Sequence, residues 1–301
     1  MELIANPLEV IPRRASWRTY DGEPLADEPA QRLSTLLADP PEPPFGSRVR
    51  LHLLADFDAE ARGVTKLGTY GVIKGARNYL VGRVQKGPQA MVDYGFAFEW
   101  AILQATALGL GTCWLGGTLK RSAFGRAVGA GEDELIPAVS PVGRARSKRR
   151  ALDRVMRWGA ASARRKDPAA LFFAGDFDTP ADLAALGDWS QVLQMVRLGP
   201  SASNKQPWRV VVGPGKERFD LFIQRNPGYG LLGDVDLQRI DAGIASCHFQ
   251  STAEALQLPG AWKHEEPAAI SAPERTEYVL TWVTSSTAAE RVGLDPSDGR
   301  G

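Results

Sequence analysis

One stretch of this 301-residue chain occurs twice. Asp93–Trp114 (DYGFAFEWAILQATALGLGTCW) aligns with Asp241–Trp262 (DAGIASCHFQSTAEALQLPGAW) without a gap, at a constant offset of 148. Eight of the 22 pairs are identical: Asp93/Asp241, Gly95/Gly243, Ala97/Ala245, Ala105/Ala253, Ala107/Ala255, Leu108/Leu256, Leu110/Leu258 and Trp114/Trp262. The period is too long for a solenoid and points to two similar half-domains, as in a fused dimer.

The surroundings repeat as well. Two β-type runs precede each copy, Val49–Leu54 with Asn78–Val84 and Trp208–Val212 with Phe219–Gln224. One more follows each, Leu135–Val142 and Tyr278–Val283. Helix-like stretches open both halves, near Gln31–Leu37 and at the amphipathic Trp189–Val196. Strands mixed with helices, without strict alternation, favour an α+β fold. The expected halves are residues 1–165 and 166–301, with a frayed tail from about 285. The first long helix is apolar on every face, from Phe96 to Leu108, and should be buried, in a central core or at a half-to-half interface. Glu99 within it then needs a partner that the sequence does not name.

Lys and Arg number 36 against 35 Asp and Glu, a net charge of +1 that argues against general nucleic-acid or membrane-surface binding. Ten of the basic residues crowd into Arg144–Lys166, most of which is expected to be a solvated face. The two cysteines, Cys113 and Cys247, are far apart and offer neither a disulfide scaffold nor a zinc site; no metal is expected. No apolar run approaches the roughly 18–20 residues of a membrane span. The opening MELIANPLEVIPRR lacks a basic region followed by an apolar stretch, so a cytoplasmic protein is expected.

Three polar clusters could bind a ligand. In Arg13–Tyr20 (RRASWRTY), Arg14, Ser16 and Arg18 alternate, so an extended segment would point them to one side. Two guanidinium forks around a hydroxyl suit a phosphate or a carboxylate, although a solvated basic turn has the same spacing. Pro200–Trp208 (PSASNKQPW) follows a helix and precedes a strand, and its Ser, Asn and Gln suit polyol hydroxyls and heterocycle edges. In Gly109–Gly117 (GLGTCWLGG), helix capping explains Gly109 or Gly111 but not Gly116-Gly117, which allow a backbone to approach a flat ligand. A dinucleotide fingerprint is excluded because Trp114 stands at its third glycine and a helix precedes it. A Walker loop is absent as well.

Together these three segments resemble the FMN-binding motifs of the nitroreductase family. That family implies an α+β flavoprotein, usually homodimeric, with FMN at the dimer interface. An ordinary member carries all three motifs once in a shorter chain. Here the Pro-rich PEPPF at 41–45 occupies the first half's PSxxN position, while the second half lacks RxSxR and has QLPGAWKHE in place of GLGTCWLGG. The losses are complementary, so one site can be assembled and its mirror cannot. This looks like the branch in which a single chain mimics the dimer, and a monomer is expected.

By that resemblance, Arg14 and Arg18 would hold the FMN phosphate or the pyrimidine edge, with Ser16 beside them. Pro200, Ser201, Ser203 and Asn204 would face the flavin from the other half. Thr112, Cys113, Trp114 and Leu115 would lead to Gly116 and Gly117, whose N–H groups would meet N5. Arg144, Arg146, Lys148 and Arg149 are phosphate candidates, and Lys74 a candidate for the flavin carbonyls. No catalytic side chain is demanded, because the flavin carries the redox chemistry. His52, His248 and His264 are expected to be structural or exposed. The implied activity is FMN-dependent hydride transfer from NAD(P)H to a nitroaromatic, quinone or similar small acceptor, by ping-pong turnover through N5. A flavin-binding sensor without turnover is the alternative, and a nucleic-acid-associated protein is the weakest reading.

Overall fold

The computed structural model describes residues 3–57, 73–117, 120–146, 164–267 and 270–285. Its frame is the helix α3 (Ala90–Ala107) crossing its repeat partner α6 (Leu237–Ala255). Gly95 and Gly243, one of the repeated pairs, let the two backbones touch. A Cβ at Gly95 would strike the Ile240 carbonyl oxygen, and one at Gly243 would strike that of Val92. Ile240 is Val92 shifted by 148, so the two contacts are reciprocal, as across a twofold axis. Both helices are buried over most of their length, and α3 is buried at every position from Ala90 to Thr106.

One sheet flanks each long helix. The first has the order β1-β2-β5-β3, from Val49–Leu54, Tyr79–Gln85, Val139–Gly143 and Gly111–Thr112, with β4 (Glu134–Leu135) beside β2. All its pairings are antiparallel. The second has the order β11-β12-β8-β7-β6, from Gly260–Lys263, Thr276–Thr284, Arg218–Gln224, Trp208–Val212 and Phe172–Ala174. There β6 runs parallel to β7. The expected strand at 135–142 is two pieces, since Pro137 has no N–H to donate and interrupts the ladder. The helix expected near 31–37 is α2, Asp27–Ala38, and the amphipathic one is α5, Trp189–Arg197.

Sequence reasoning missed α1 (Pro7–Arg13). Asn6 caps it by accepting the Leu8 N–H, and Pro7 occupies its first turn, where no N–H is needed. Pro12 disguises it, but falls near its end. A short helix, α4 (Arg121–Ala127), follows the first Gly-Gly. The hairpin β9 (Leu231–Leu232) with β10 (Val235–Asp236) precedes α6.

The cores interlock. The first gathers Val10, Leu33, Leu51, Leu80, Phe98 and Leu103 but also Ile240, Ile244 and Cys247 from α6. The second gathers Phe172, Val192, Trp208, Phe219 and Phe249 and takes Val92 from α3. The buried Glu99 finds two partners, one of them across this seam. His248 Nε2 lies 2.9 Å from its Oε1, and the Trp114 indole N–H donates to its Oε2 at 2.7 Å. His248 Nδ1 lies 2.8 Å from the Met195 carbonyl oxygen, which accepts its proton. The expected structural role of His248 is thus a buried polar link between the two long helices.

Among the described residues, no helix is long and apolar enough to cross a membrane. The tail from 286 lies outside the described residues.

Candidate functional site

Residues 14–20 run as an extended strip along the edge of the first sheet. Ser16 bridges Thr112 in parallel, and the Trp17 N–H donates to the Thr112 carbonyl at 2.8 Å. Lys74 lies against the same strip, donating its N–H to Arg18 O at 2.9 Å and accepting from Tyr20 N at 2.8 Å. Arg146 donates its N–H to Thr19 O, and Arg144 O accepts from Asp21 N. Backbone pairing therefore gathers Arg14, Ser16, Arg18, Lys74, Thr112, Arg144 and Arg146 from four separate stretches of chain. Gly111 is required by the close approach: a Cβ there would come within 3.0 Å of the Trp17 ring. Tyr20 closes the strip from below, its hydroxyl donating to Trp17 O at 2.9 Å; burial pushes its phenol well up. Lys148 and Arg149 lie outside the described residues.

The segment 112–117 divides in two. Thr112 to Leu115 spend their polar groups on the fold. Cys113 N–H donates to Ser140 Oγ at 2.9 Å, Trp114 holds Glu99, and Leu115 exchanges both backbone bonds with Val139. Gly116 and Gly117 differ. Their carbonyls accept from Arg121 Nη2 at 2.7 and 3.4 Å, which turns the two peptide units and fixes them. Their N–H groups meet no acceptor among the described residues. Gly116 lies under Leu237, the first residue of α6, whose Cδ2 would be 3.0 Å from an added Cβ.

The loop 200–206 is held in an unusual shape. Ser203, Asn204 and Gln206 have φ of 47°, 55° and 47°, left-handed values rare outside glycine. Several bonds enforce them. Ser201 Oγ accepts the Gln206 N–H at 2.8 Å, and Asp241 Oδ1 accepts the Ala202 N–H at 2.9 Å. Ser203 Oγ accepts from the Tyr229 hydroxyl at 2.7 Å. Asn204 Oδ1 accepts from Arg165 Nη1 at 2.5 Å, and its Nδ2 donates to Arg164 O at 2.8 Å. Asp241 is buried, and desolvation holds its carboxyl well above the usual range. Strain of this kind gathers at functional sites.

First-half residues reach this loop from two directions. On one, Arg165 spans Asn204 and the Leu198 carbonyl, and its guanidinium feels the charge of Arg14. On the other, Tyr229 leads through Gly230 and Gln238 to Leu237 and so to Gly116. Gly116 thus lies against the start of α6, the 200–206 loop is tied to Asp241 one turn further along it, and Arg14 is close enough to the loop's Arg165 for their charges to interact.

Arg165, Tyr229 and Asp241 escaped sequence reasoning. Arg165 was hidden in a basic run taken as solvent-facing. Tyr229 sits in a hairpin approach with no motif. Asp241 was visible as a repeated Asp, and its counterpart Asp93 does the same work, accepting the N–H groups of Phe45 and Ser47 at 2.9 and 2.8 Å. Among the described residues no group of three His, Cys, Asp or Glu converges as a metal site.

Comparison with known proteins bears on the family and the fold. The family model described as "Putative TM nitroreductase" matches residues 6–253. No curated protein matches the chain. A solved Thermotoga maritima structure, itself titled a putative nitroreductase, superposes with a TM-score of 0.60 at 17% identity, covering 94% of this chain and 95% of that one. A nitroreductase family protein from Clostridium difficile 630 gives 0.39 at 15% identity, over 50% of this chain and 91% of its own. An FMN-dependent nitroreductase from Clostridium difficile R20291 gives 0.38 at 20%, over 47% and 89%. The fold is nitroreductase-like, and the chain belongs to the nitroreductase family that the matching model describes.

Proposed function

We propose that this chain is a single-chain FMN-dependent oxidoreductase, a cytoplasmic monomer whose two lobes stand in for the two subunits of a dimer and frame one flavin site. What supports the reading is that Gly116 and the 200–206 loop both border the first turns of α6, with Arg14 near enough to Arg165 for their charges to interact, together with the reciprocal Gly95 and Gly243 contacts.

The residues present suit a flavin nucleotide. Three donors here are left without partners among the described residues: Arg14 Nε, which is buried, and the Gly116 and Gly117 N–H groups; buried Asp241 Oδ2 is an unpartnered oxygen beside them. A flavin nucleotide is rich in acceptors, with ring carbonyls, N5 and a phosphate. Bound there, FMN would supply hydride chemistry, taking electrons from NAD(P)H and yielding them to a nitroaromatic, quinone or similar acceptor.

The protein's part is position. Val139 N–H on the Leu115 carbonyl fixes the peptide unit that carries the Gly116 N–H, and Arg121 on the Gly116 carbonyl fixes the one that carries the Gly117 N–H, so both are set before any ligand arrives, the preorganisation that makes donors effective. Asp241 and Arg165 fix the 200–206 loop in the same way. No side chain is asked to exchange a proton.

The test is one spectrum. Purified protein should carry flavin absorbance that bleaches on anaerobic NADH or NADPH and returns with a quinone. Retained flavin that stays oxidised would favour a binding-only protein and sink the proposal.

A further inference from the structure

Six cations converge behind the 200–206 loop: Arg14, Arg165, Lys166, Arg197, Lys205 and Arg209. Four of them are tied to neutral groups. Arg165 binds Asn204 Oδ1 and Leu198 O, Arg197 Nε binds Lys166 O at 2.8 Å, and Lys166 and Arg209 share the Gln206 carbonyl at 3.3 and 3.1 Å. Among the described residues none of the six closes an ion pair with a carboxylate. Elsewhere arginines do so readily, as with Arg225 on Asp236 and Glu277. Arg14 adds a second observation, since its buried Nε has no acceptor.

Like charges packed together repel one another, and the Glu99 carboxylate, already held by Trp114 and His248, offsets this only in part at Arg165. Arg165 is pushed down to about 10 by burial and by Arg14 and Arg197, and Lys166 to about 8 by burial and by Arg209 and Lys205. A phosphate group would relieve this, offering several acceptor oxygens to guanidinium forks.

We propose that Arg165 and Arg197, with Arg14 closing on them, receive the phosphate of the flavin nucleotide, in place of Arg144, Arg146, Lys148 and Arg149. This rests on the flavin reading above. It goes further in assigning the anion to Arg165, where the halves join, and to Arg197 of the second half, and in tying it to Asn204, which Arg165 already holds.

The experiment titrates FMN and riboflavin, which differ by the phosphate, into flavin-free protein and follows flavin fluorescence. FMN should bind at least tenfold more tightly in the wild type. Arg165→Gln should weaken FMN roughly tenfold to a hundredfold, the loss of one charge-assisted pair, and cut the preference for FMN over riboflavin to about threefold or less, whatever both flavins lose with the Asn204 contact. Arg165→Lys should keep part of the preference. Should Arg165→Gln fail to fold, Arg197→Gln carries the same expectation. Equal binding of the two flavins by the wild type overturns the assignment alone. So does an Arg144→Gln/Arg146→Gln double variant that loses the preference while Arg165→Gln keeps it. Binding of neither flavin overturns the flavin reading and this assignment with it.

Discussion

Lys166 places its ammonium 3.3 Å from the Gln206 carbonyl and faces Arg209 and Lys205, so its charge is costly in the folded state. Its folded value near 8 lies below the ordinary 10.5, so between those limits the unfolded chain binds the extra proton. Stability from this group therefore rises with pH across that window. In flavin-free protein, Lys166→Met should be stabilised relative to wild type at pH 7, and that advantage should shrink as pH climbs from 8 to 10.5. Urea melts at several pH values measure it, and a gap that does not change with pH would refute the assignment. Glu99 gives the opposite case. Glu99→Leu strands the Trp114 indole and His248 in a dry seam, at a cost of about 2–4 kcal/mol for two buried polar groups, read in the same melts. That a buried Glu inside an apolar helix needs a partner is legible from sequence. That the partner lies 149 positions away is not, because nothing local ties the two together.

At the scale of elements, the strands announced themselves wherever β-branched and aromatic residues ran together. Val49–Leu54 and Trp208–Val212 match their expected limits. What stayed hidden was set by context. Phe172–Ala174 is only three residues long and becomes a strand through its parallel neighbour β7. The left-handed residues of the 200–206 loop are imposed by Asp241, Ser201 and Arg165, not by local preference. The α3/α6 crossing was half visible: the repeat exposed Gly95 and Gly243, but not that each faces the other's helix. Gly95→Ala and Gly243→Ala should each destabilise by about 1–3 kcal/mol or more, since backbone must move to admit a methyl. Because both act on one crossing, the double variant should lose less than the sum of the singles. Additive losses in a denaturation series would show the two contacts to be independent.

For the whole molecule, the two-lobe reading fixes two numbers. Sedimentation should find a monomer, and flavin extracted from saturated protein should approach one per chain. An obligate dimer, or two flavins per chain, would contradict it. The complementary motif losses were readable without coordinates, because each was a substitution at a known offset. The cationic centre around Arg165 was not, because charge proximity depends on how α1 and the 200–206 loop fold back on each other.

The reciprocal seam also bears on how such a molecule can change over time. Across a true twofold, one mutation appears twice and must suit both copies of the contact. Here Gly95 with Ile240 and Gly243 with Val92 are four separate codons. A swap on one flank can be answered opposite while the other flank stays as it was, so each lobe is at liberty to drift toward its own task.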